Sequence, residues 1–436
     1  MQFYSLNKNA PNVSFAEAVV KGLAPDRGLY FPESITPLPA SFFENIENMG
    51  NIDIAYQAIQ QFVGDEIPEK ELKDILKDVL SFDFPVVPIT ENIGTLELFH
   101  GPTMAFKDVG ARFMARCLEY FNKDTDGHVS VLVATSGDTG GAVARGFLGV
   151  KGVDVVILYP NGKVSDIQER QLTTLGQNIK ALRVDGVFDD CQEMVKSAFL
   201  DTEITSERAL TSANSINVAR WLPQLFYFLF AYKQTKKLGK EIVFSVPSGN
   251  FGNICAGIVA NKLGMPVKHF IASVNSNKTV VDYLKTGEYT PKPSVATISN
   301  AMDVGNPSNF IRIQQLFDNN FEDLKNDFSS YSYSDDSTRE AMKEIKTKSG
   351  YIADPHGAVG YLGLQEYKLS DNEYGIFLET AHPVKFLDIV EGTLEGTKVA
   401  IPEQIQEVLD KEKEFNSISE YDELKSYLLN ETNYKN

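Results

Sequence analysis

A lysine in an apolar setting is the first residue of this sequence that could do chemistry. The stretch LELFHGPTMAFKDVGARFMAR, residues 96–116, places Lys107 between Phe106 and Asp108, just after a Gly-Pro turn. Most lysines of a globular chain are solvated surface groups, so this residue alone indicates little. Its apolar flanks would partly desolvate the amine, however, and desolvation lowers the pKa of an ammonium group. Because a Schiff base requires a neutral amine, Lys107 is a candidate for covalent catalysis.

A glycine-rich segment further along the chain could bind an anion. VPSGNFGN, residues 246–253, follows a predicted strand and precedes a predicted helix. Its glycines allow a sharp turn, after which several backbone N–H groups can point at one anion near the positive end of the helix. It is not a P-loop, because no Gly-Lys-Ser/Thr ends it, and a plain strand-to-helix turn is an equally good reading. The candidate phosphate cradle consists of Ser248, Gly249, Asn250, Phe251, Gly252 and Asn253.

Two more predicted strand ends carry hydrogen-bonding groups. ATSGDTGGA, residues 134–142, could hold a carboxylate at a helix amino terminus, although a well-capped helix explains it as well. Its glycines lack the G-x-G-x-x-G order of a dinucleotide site. In LETAHPVKF, residues 378–386, the hydroxyl of Thr380 could bond a heterocyclic nitrogen. A lysine, an anion-binding segment and a hydroxyl for a ring nitrogen are the three groups that pyridoxal phosphate needs for binding.

The elements that position these residues follow an alternating pattern. After residue 88, short β-branched runs alternate with amphipathic helical stretches, which predicts an α/β fold with mostly parallel sheets covered on both faces. Ligands collect at the carboxyl ends of such strands. Ser165 and Gln168 have the spacing of a helix capping box, and the acidic tail from Pro402 onward is predicted as a solvated helical pair. The predicted strands are 95–100, 129–136, 154–160, 179–186, 241–248, 267–276 and 374–380.

Composition excludes several classes of function. The 436 residues suffice for two or three domains, and 41 Lys and Arg against 59 Asp and Glu give a net charge of −18. Such a charge repels nucleic acid and anionic membranes. The five histidines show no metal-ligand spacing, and the three cysteines lie in apolar surroundings, so we expect buried reduced thiols and no metal. No signal peptide or membrane span is evident, which favours a cytoplasmic location.

The motifs, taken together, resemble those of one known family. HGPTMAFKD, ATSGDTGGA, SANSIN, VPSGNFGN, NAMDVGNPSN and TAHPVKF occur in this order and resemble the threonine synthase family. The segment VSFAEAVVKGLAPDRGLYFP is similar to the opening of that family, so the resemblance extends over nearly the whole chain. It implies a fold-type-II pyridoxal-phosphate enzyme, similar in fold to the tryptophan synthase β chain. The expected domains are an amino-terminal helical and extended domain at 1–88, a large cofactor domain at 89–122 and 216–436, and a small α/β domain at 123–215.

The resemblance also implies roles for individual residues. Lys107 would bond the pyridoxal phosphate and afterwards move protons, Gly249 to Asn253 would hold the cofactor phosphate, and Thr380 would face the pyridine nitrogen. The implied substrate is O-phosphohomoserine, which reacts with water to give threonine and phosphate in the last step of threonine biosynthesis. Its α-carboxylate would be bound by Thr135, Ser136, Gly137, Asp138 and Thr139. The substrate phosphate needs a clamp of its own, for which the residue types themselves favour Arg112, Asn214 and Ser215, with Lys163 and Arg220 as weaker candidates.

Three alternatives stay open on the residues alone. A dehydratase or β-replacement enzyme of the same fold, acting on serine, threonine or an activated serine, would need no clamp for a second phosphate. A Rossmann-type oxidoreductase rests only on glycines after strands. A binding module would hold the cofactor without turnover. The expected partner is a small-molecule substrate rather than nucleic acid or a membrane, and the expected assembly is a monomer or weak homodimer.

Overall fold

The computed structural model describes residues 1–123 and 128–430. Short 3-10 turns connect several of its helices and strands. The strands are β1 Phe3–Ser5, β2 Tyr30–Pro32, β3 Val86–Pro88, β4 Ile93–Glu97, β5 Val129–Ala134, β6 Val153–Pro160, β7 Ile179–Val184, β8 Ala209–Ser212, β9 Glu241–Pro247, β10 His269–Val274, β11 Phe328–Ser332, β12 Glu373–Glu379 and β13 Asn416–Ile418. The helices are α1 Phe15–Lys21, α2 Ala40–Asn45, α3 Asn51–Val63, α4 Glu69–Val79, α5 Lys107–Asn122, α6 Asp138–Phe147, α7 Asp166–Thr173, α8 Phe188–Leu200, α9 Thr202–Glu207, α10 Val218–Trp221, α11 Leu225–Thr235, α12 Gly252–Lys262, α13 Thr279–Thr286, α14 Phe310–Leu316, α15 Phe321–Asp327, α16 Asp335–Ser349, α17 Pro355–Tyr367, α18 Leu387–Thr393, α19 Glu403–Leu409 and α20 Tyr421–Asn430.

The chain divides into two compact units. The first contains Met1 with residues 32–106 and 221–400, and the second contains residues 2–31, 107–220 and 401 onward. The division therefore falls immediately before Lys107. The three-domain division stays a prediction, and its ranges 123–215 and 216–436 include residues 124–127 and 431–436, which lie outside the described residues.

The first unit is built on a six-stranded sheet in the order β11-β10-β9-β12-β4-β3. All neighbouring strands are parallel except β3, which runs antiparallel to β4 at one edge. Helix α17 packs on the sheet and buries apolar side chains such as Tyr361 against Phe377. Because β9 and β12 are parallel neighbours, with Phe377 opposite Ser245, the segments that follow them emerge at the same edge of the sheet.

The second unit is built on a five-stranded parallel sheet in the order β13-β7-β6-β5-β8. Strand β5 is buried along its whole length, which fits its sequence VSVLVA, apolar except for Ser130. Helices α5 and α6 pack against each other, and a side chain on Gly146 would lie 3.2 Å from the backbone nitrogen of Arg112. The absence of a side chain at Gly146 therefore allows the two helices to approach closely.

Most of the predicted elements form. All seven predicted strands are present, and Ser165 and Gln168 make both hydrogen bonds of a capping box at the start of α7. The predicted solvated tail is partly wrong, because β13 pairs with β7 and Leu424 and Leu428 are buried. All three cysteines are free and buried, as predicted. Among the described residues, every helix is too short or too polar to cross a bilayer.

Candidate active site

The glycine-rich segment after β9 is locked by its own side chains. The Ser248 hydroxyl donates to the carbonyl of Val246 at 2.8 Å, and the Asn253 amide donates to the carbonyl of Pro247 at 2.9 Å. Phe251, at the amino cap of α12, adopts a left-handed conformation with φ of 60°. Because these side chains bond within the segment, the backbone N–H groups at the start of α12 are the donors that could face an anion.

A second loop contacts this segment at two neighbouring residues. A Cβ atom on Gly249 would lie 2.8 Å from both the Ala301 carbonyl oxygen and the Met302 Cα, so only glycine fits against that loop. At the next residue, the Asn250 side-chain oxygen accepts from the Ser308 amide at 2.6 Å. The sequence motif NAMDVGNPSN contributes all of these partners, a supporting role that its sequence does not indicate.

Thr380 lies at the same edge of the sheet. It follows β12, the parallel neighbour of β9, and its carbonyl accepts from the Phe106 amide at 2.8 Å. Thr380 is 6% exposed, and its hydroxyl makes no hydrogen bond to another described residue. The first unit therefore has helix-start amides for a phosphate and an available hydroxyl for a ring nitrogen, which fits pyridoxal phosphate.

The segment that leads to Lys107 is held firmly. The Lys385 amine donates to the Thr103 carbonyl at 3.0 Å, the His382 amide donates to the Met104 carbonyl at 3.0 Å, and the Tyr227 hydroxyl donates to the Phe106 carbonyl. Met104 adopts a left-handed φ of 58°, a conformation that costs free energy in a residue with a side chain. Lys107 is the next residue after Phe106, begins α5 and is half-buried.

In the second unit, the segment after β5 forms the start of α6. The Thr135 hydroxyl accepts from the amides of Gly137 and Gly140 at 3.0 and 2.9 Å, so it shapes the turn itself. The carboxylate of Asp138 accepts from the Gln168 side chain at 3.0 Å. Ser136 and Thr139 are half-buried and flank the helix start, and their hydroxyls make no hydrogen bond to another described residue. Among the predicted carboxylate-binding residues, these two have the available side chains.

The other predicted substrate residues follow the strands on either side of β5. Asn214, after β8, donates to the Ala134 carbonyl at 2.9 Å and thereby ties the ends of β8 and β5 together. Ser215 is half-buried beside it, and Lys163 lies exposed in the turn after β6. Carboxyl ends of parallel neighbours share one edge, so the sheet brings these three segments together.

Two arginines differ in environment. Arg112 is half-buried on α5. Arg220 is 2% exposed, and its guanidinium donates to the Ala213 carbonyl within the core of the second unit. Burial of this kind favours a structural role for Arg220 over contact with a soluble phosphate.

A buried carboxyl group lies next to Thr380. Glu379 is fully buried, and one of its oxygens accepts from the Asp354 amide at 2.5 Å, at the amino cap of α17. A Cβ atom on Gly357 would lie 1.6 Å from the other oxygen, so the glycine makes room for this carboxyl group. Burial, together with the nearby Asp354 carboxylate, raises the pKa of Glu379 well above its ordinary value of 4.5.

Replacing Glu379 by glutamine should remove a pH dependence of stability. Because the pKa of Glu379 is higher in the folded state, the folded protein binds more protons than the unfolded chain as pH rises above 4.5. The wild-type free energy of unfolding should therefore fall with rising pH, by up to about 1.4 kcal/mol per unit, until the raised pKa is passed. Urea unfolding between about pH 5 and pH 8 measures this slope. We expect Glu379→Gln to flatten this slope and the control Glu366→Gln, at an exposed residue, to leave it unchanged. Equal slopes for Glu379→Gln and the wild type would contradict the raised pKa of Glu379.

Comparison with known proteins identifies the class to which this fold and site belong. Residues 95–374 match the family described as "Pyridoxal-phosphate dependent enzyme". That match covers more than half of the chain and places it among the pyridoxal-phosphate-dependent enzymes.

Narrower comparisons identify the family within that class. Residues 2–80 match "Threonine synthase N terminus" and residues 357–428 match "Threonine synthase, C-terminal". The chain belongs to the threonine synthase family. It is 46% identical over 399 residues to the threonine synthase of Buchnera aphidicola subsp. Baizongia pistaciae, which covers 91% of this chain and 92% of the relative.

Solved structures agree with this placement. The crystal structure of threonine synthase from Escherichia coli matches with a TM-score of 0.93 and 41% identity, covering 99% of this chain and 100% of that chain. The structure of threonine synthase from Brucella melitensis with pyridoxal phosphate bound matches with a TM-score of 0.91 and 32% identity, covering 98% of both chains. The predicted fold class, the fold-type-II architecture with mostly parallel sheets, is thereby confirmed.

Proposed function

We propose that this enzyme converts O-phosphohomoserine and water to L-threonine and phosphate, by a β,γ-replacement that completes threonine biosynthesis. The observation that carries the proposal is the edge of the six-stranded sheet. There the glycine-rich segment and Thr380 follow neighbouring strands, and the Thr380 carbonyl bonds the residue before Lys107. Pyridoxal phosphate, when bound, supplies an electron sink for negative charge on the substrate carbons.

Different residues of the chain would hold the phosphate, the ring nitrogen and the aldehyde of the cofactor. Backbone N–H groups from Gly249 to Asn253 would hold its phosphate at the positive end of α12, with Ser248 fixing the turn. The Thr380 hydroxyl would donate to the ring nitrogen and would suit an unprotonated ring, whereas a carboxylate there would favour the protonated form. Lys107 would hold the cofactor aldehyde through Nζ and, when its amine is free, would take the proton from the substrate Cα.

The substrate-binding role falls to the second unit. Ser136, Thr139 and the amides of the segment 135–139 hold the α-carboxylate at the start of α6. Arg112, Asn214 and Ser215 bind the substrate phosphate, with Lys163 as a further cation near the same sheet edge. Arginine is suited to phosphate because it donates in pairs and stays charged.

Product analysis with competing substrates tests the reaction. Purified enzyme loaded with pyridoxal phosphate is given O-phosphohomoserine, homoserine, serine and threonine in separate assays. We expect threonine and inorganic phosphate in equal amounts from O-phosphohomoserine alone. Ammonia release from serine or threonine, without phosphate release from O-phosphohomoserine, would instead favour the dehydratase alternative.

Replacing Arg112 by lysine should weaken binding of the substrate phosphate. Lysine keeps the positive charge but loses the paired donors, so KM for O-phosphohomoserine should rise roughly 10-fold with a smaller change in kcat. Inhibition by inorganic phosphate should weaken in parallel. The control is Arg145→Lys, since Arg145 is exposed on α6 and should leave KM unchanged. An unchanged KM in Arg112→Lys would remove Arg112 from the phosphate clamp.

The setting of the enzyme is proposed on more general grounds. Its net charge of −18 disfavours binding to nucleic acid and to anionic membranes. We further propose that the enzyme works in the cytoplasm as a monomer or weak homodimer. Light scattering across a range of protein concentrations tests the assembly.

A further inference from the structure

We propose that His356 is a positioning residue for the cofactor phosphate. It holds in place the loop of Ala301 and Met302, which packs against Gly249. The inference rests on the proposed role of the glycine-rich segment after β9. His356 is not among the residues that the motifs single out. It lies in the first turn of α17 and is 2% exposed.

The hydrogen bonds of His356 fix which ring nitrogen carries the proton. The Ala301 amide donates to Nε2 at 3.2 Å, and a backbone N–H can only donate, so Nε2 must present its lone pair. The proton of the neutral ring therefore lies on Nδ1, which donates to the Asp354 carboxylate at 2.7 Å. The ring also packs on Phe386, with 4.9 Å between ring centroids. Both polar atoms of this buried ring are thus satisfied in one orientation.

The same loop residue reaches the cradle. The Ala301 amide donates to His356, and the Ala301 carbonyl oxygen lies 2.8 Å from where a Gly249 Cβ would be. Contact this close leaves little freedom for either backbone. Displacement of Ala301 would therefore change the position from which the Gly249 segment donates to a phosphate.

The support is anchored on β12, the strand that ends just before Thr380. Asp354 caps α17 by accepting from the Gly357 amide at 2.7 Å, and its own amide donates to Glu379 at 2.5 Å. Glu379 is the last residue of β12 and precedes Thr380. A series of hydrogen bonds thus connects the loop over the phosphate cradle with Glu379, the chain neighbour of the residue proposed to face the ring nitrogen.

A pair of substitutions at His356 separates positioning from packing. In His356→Gln the side-chain oxygen can reach the place of Nε2 and accept from Ala301. In His356→Asn the shorter amide can replace only Nδ1, so the Ala301 amide loses its acceptor. For holoenzyme prepared from each variant, we measure the dissociation constant of pyridoxal phosphate and the phosphorus NMR resonance of the bound coenzyme.

The two variants should differ in a defined direction. His356→Asn should raise the dissociation constant roughly 10-fold and shift the phosphorus resonance, whereas His356→Gln should stay within about 3-fold of the wild type. Asp354→Asn should resemble His356→Asn, because an amide facing Nδ1 moves the ring proton to Nε2, against the Ala301 N–H. Asn at 354 can still cap α17. His269 is the first residue of β10, so it lies at the amino ends of the strands, away from the candidate site. His269→Asn and His269→Gln should therefore have the same dissociation constant for the coenzyme.

Failure of this inference can be told apart from failure of the proposed function. If the wild type binds the coenzyme through Lys107 while the two folded His356 variants bind it equally well with unshifted phosphorus resonances, His356 has no positioning role. If both variants lose affinity equally, the ring serves packing alone, which also overturns the inference. If the wild type binds no coenzyme, the proposed site itself is wrong.

Discussion

Replacing Lys107 by alanine should lower kcat by roughly 10⁴-fold or more and abolish covalent attachment of the coenzyme, because the variant lacks both the bonding amine and the proton carrier. The cradle and Thr380 remain, so pyridoxal phosphate should still bind without a covalent link. Absorption spectra before and after borohydride, followed by peptide mapping of the labelled protein, measure attachment directly. A small primary amine added to the variant should restore part of the proton transfer.

The control for this variant is a lysine just beyond the same helix. Lys123 follows α5, and its amine lies over the ring of Tyr120, 3.9 Å from the centroid. Lys123→Ala should keep the wild-type spectrum and turnover. Borohydride labelling that maps to a lysine other than Lys107 would contradict the assignment of the covalent site.

Replacing Gly249 by alanine should weaken coenzyme binding by roughly 10- to 100-fold, the effect of about 1–3 kcal/mol of overpacking at a tight contact. The added methyl group would lie 2.8 Å from the Ala301 carbonyl and from the Met302 Cα, both backbone atoms with no freedom to rotate away. Titration of apoenzyme with pyridoxal phosphate gives the dissociation constant, and urea unfolding of the apoenzyme gives the change in stability.

Gly392→Ala is the matched control for this substitution. Gly392 lies in α18 with open space around it, so a methyl group should leave binding unchanged and slightly increase helix stability. Wild-type coenzyme affinity in Gly249→Ala, despite a loss of stability, would show that the cradle does not hold the phosphate.

Sequence reasoning is most successful where local physics decides the structure. The seven predicted strands form because short runs rich in β-branched and other apolar residues, most of them buried, have few alternative structures. The capping box at Ser165 depends on residues three apart. The placement of the candidate site residues at strand ends follows from the same pattern, since parallel strands share a carboxyl edge. These predictions need no knowledge of which distant segments meet.

The features that sequence reasoning misses depend on distant contacts. Strands β8 and β13 are short, and neither carries an apolar run that would distinguish it from a loop. The side chains of Thr135 and Arg220 are predicted for substrate but are used to shape their own backbone or core. The bond from Ala301 to His356 joins residues 55 positions apart, and no local pattern indicates such a pair.

The tail has a consequence for how the protein is made. The second unit includes residues 2–31 near the start of the chain, yet β13 borders its sheet and Leu424 and Leu428 fill part of its core. A ribosome releases the chain from its amino terminus, so this unit stays incomplete, with the edge of β7 bare, until residues 416–428 have been made. Late ribosomal stalling or a premature stop codon near residue 400 should therefore yield aggregation-prone chains rather than a shortened enzyme.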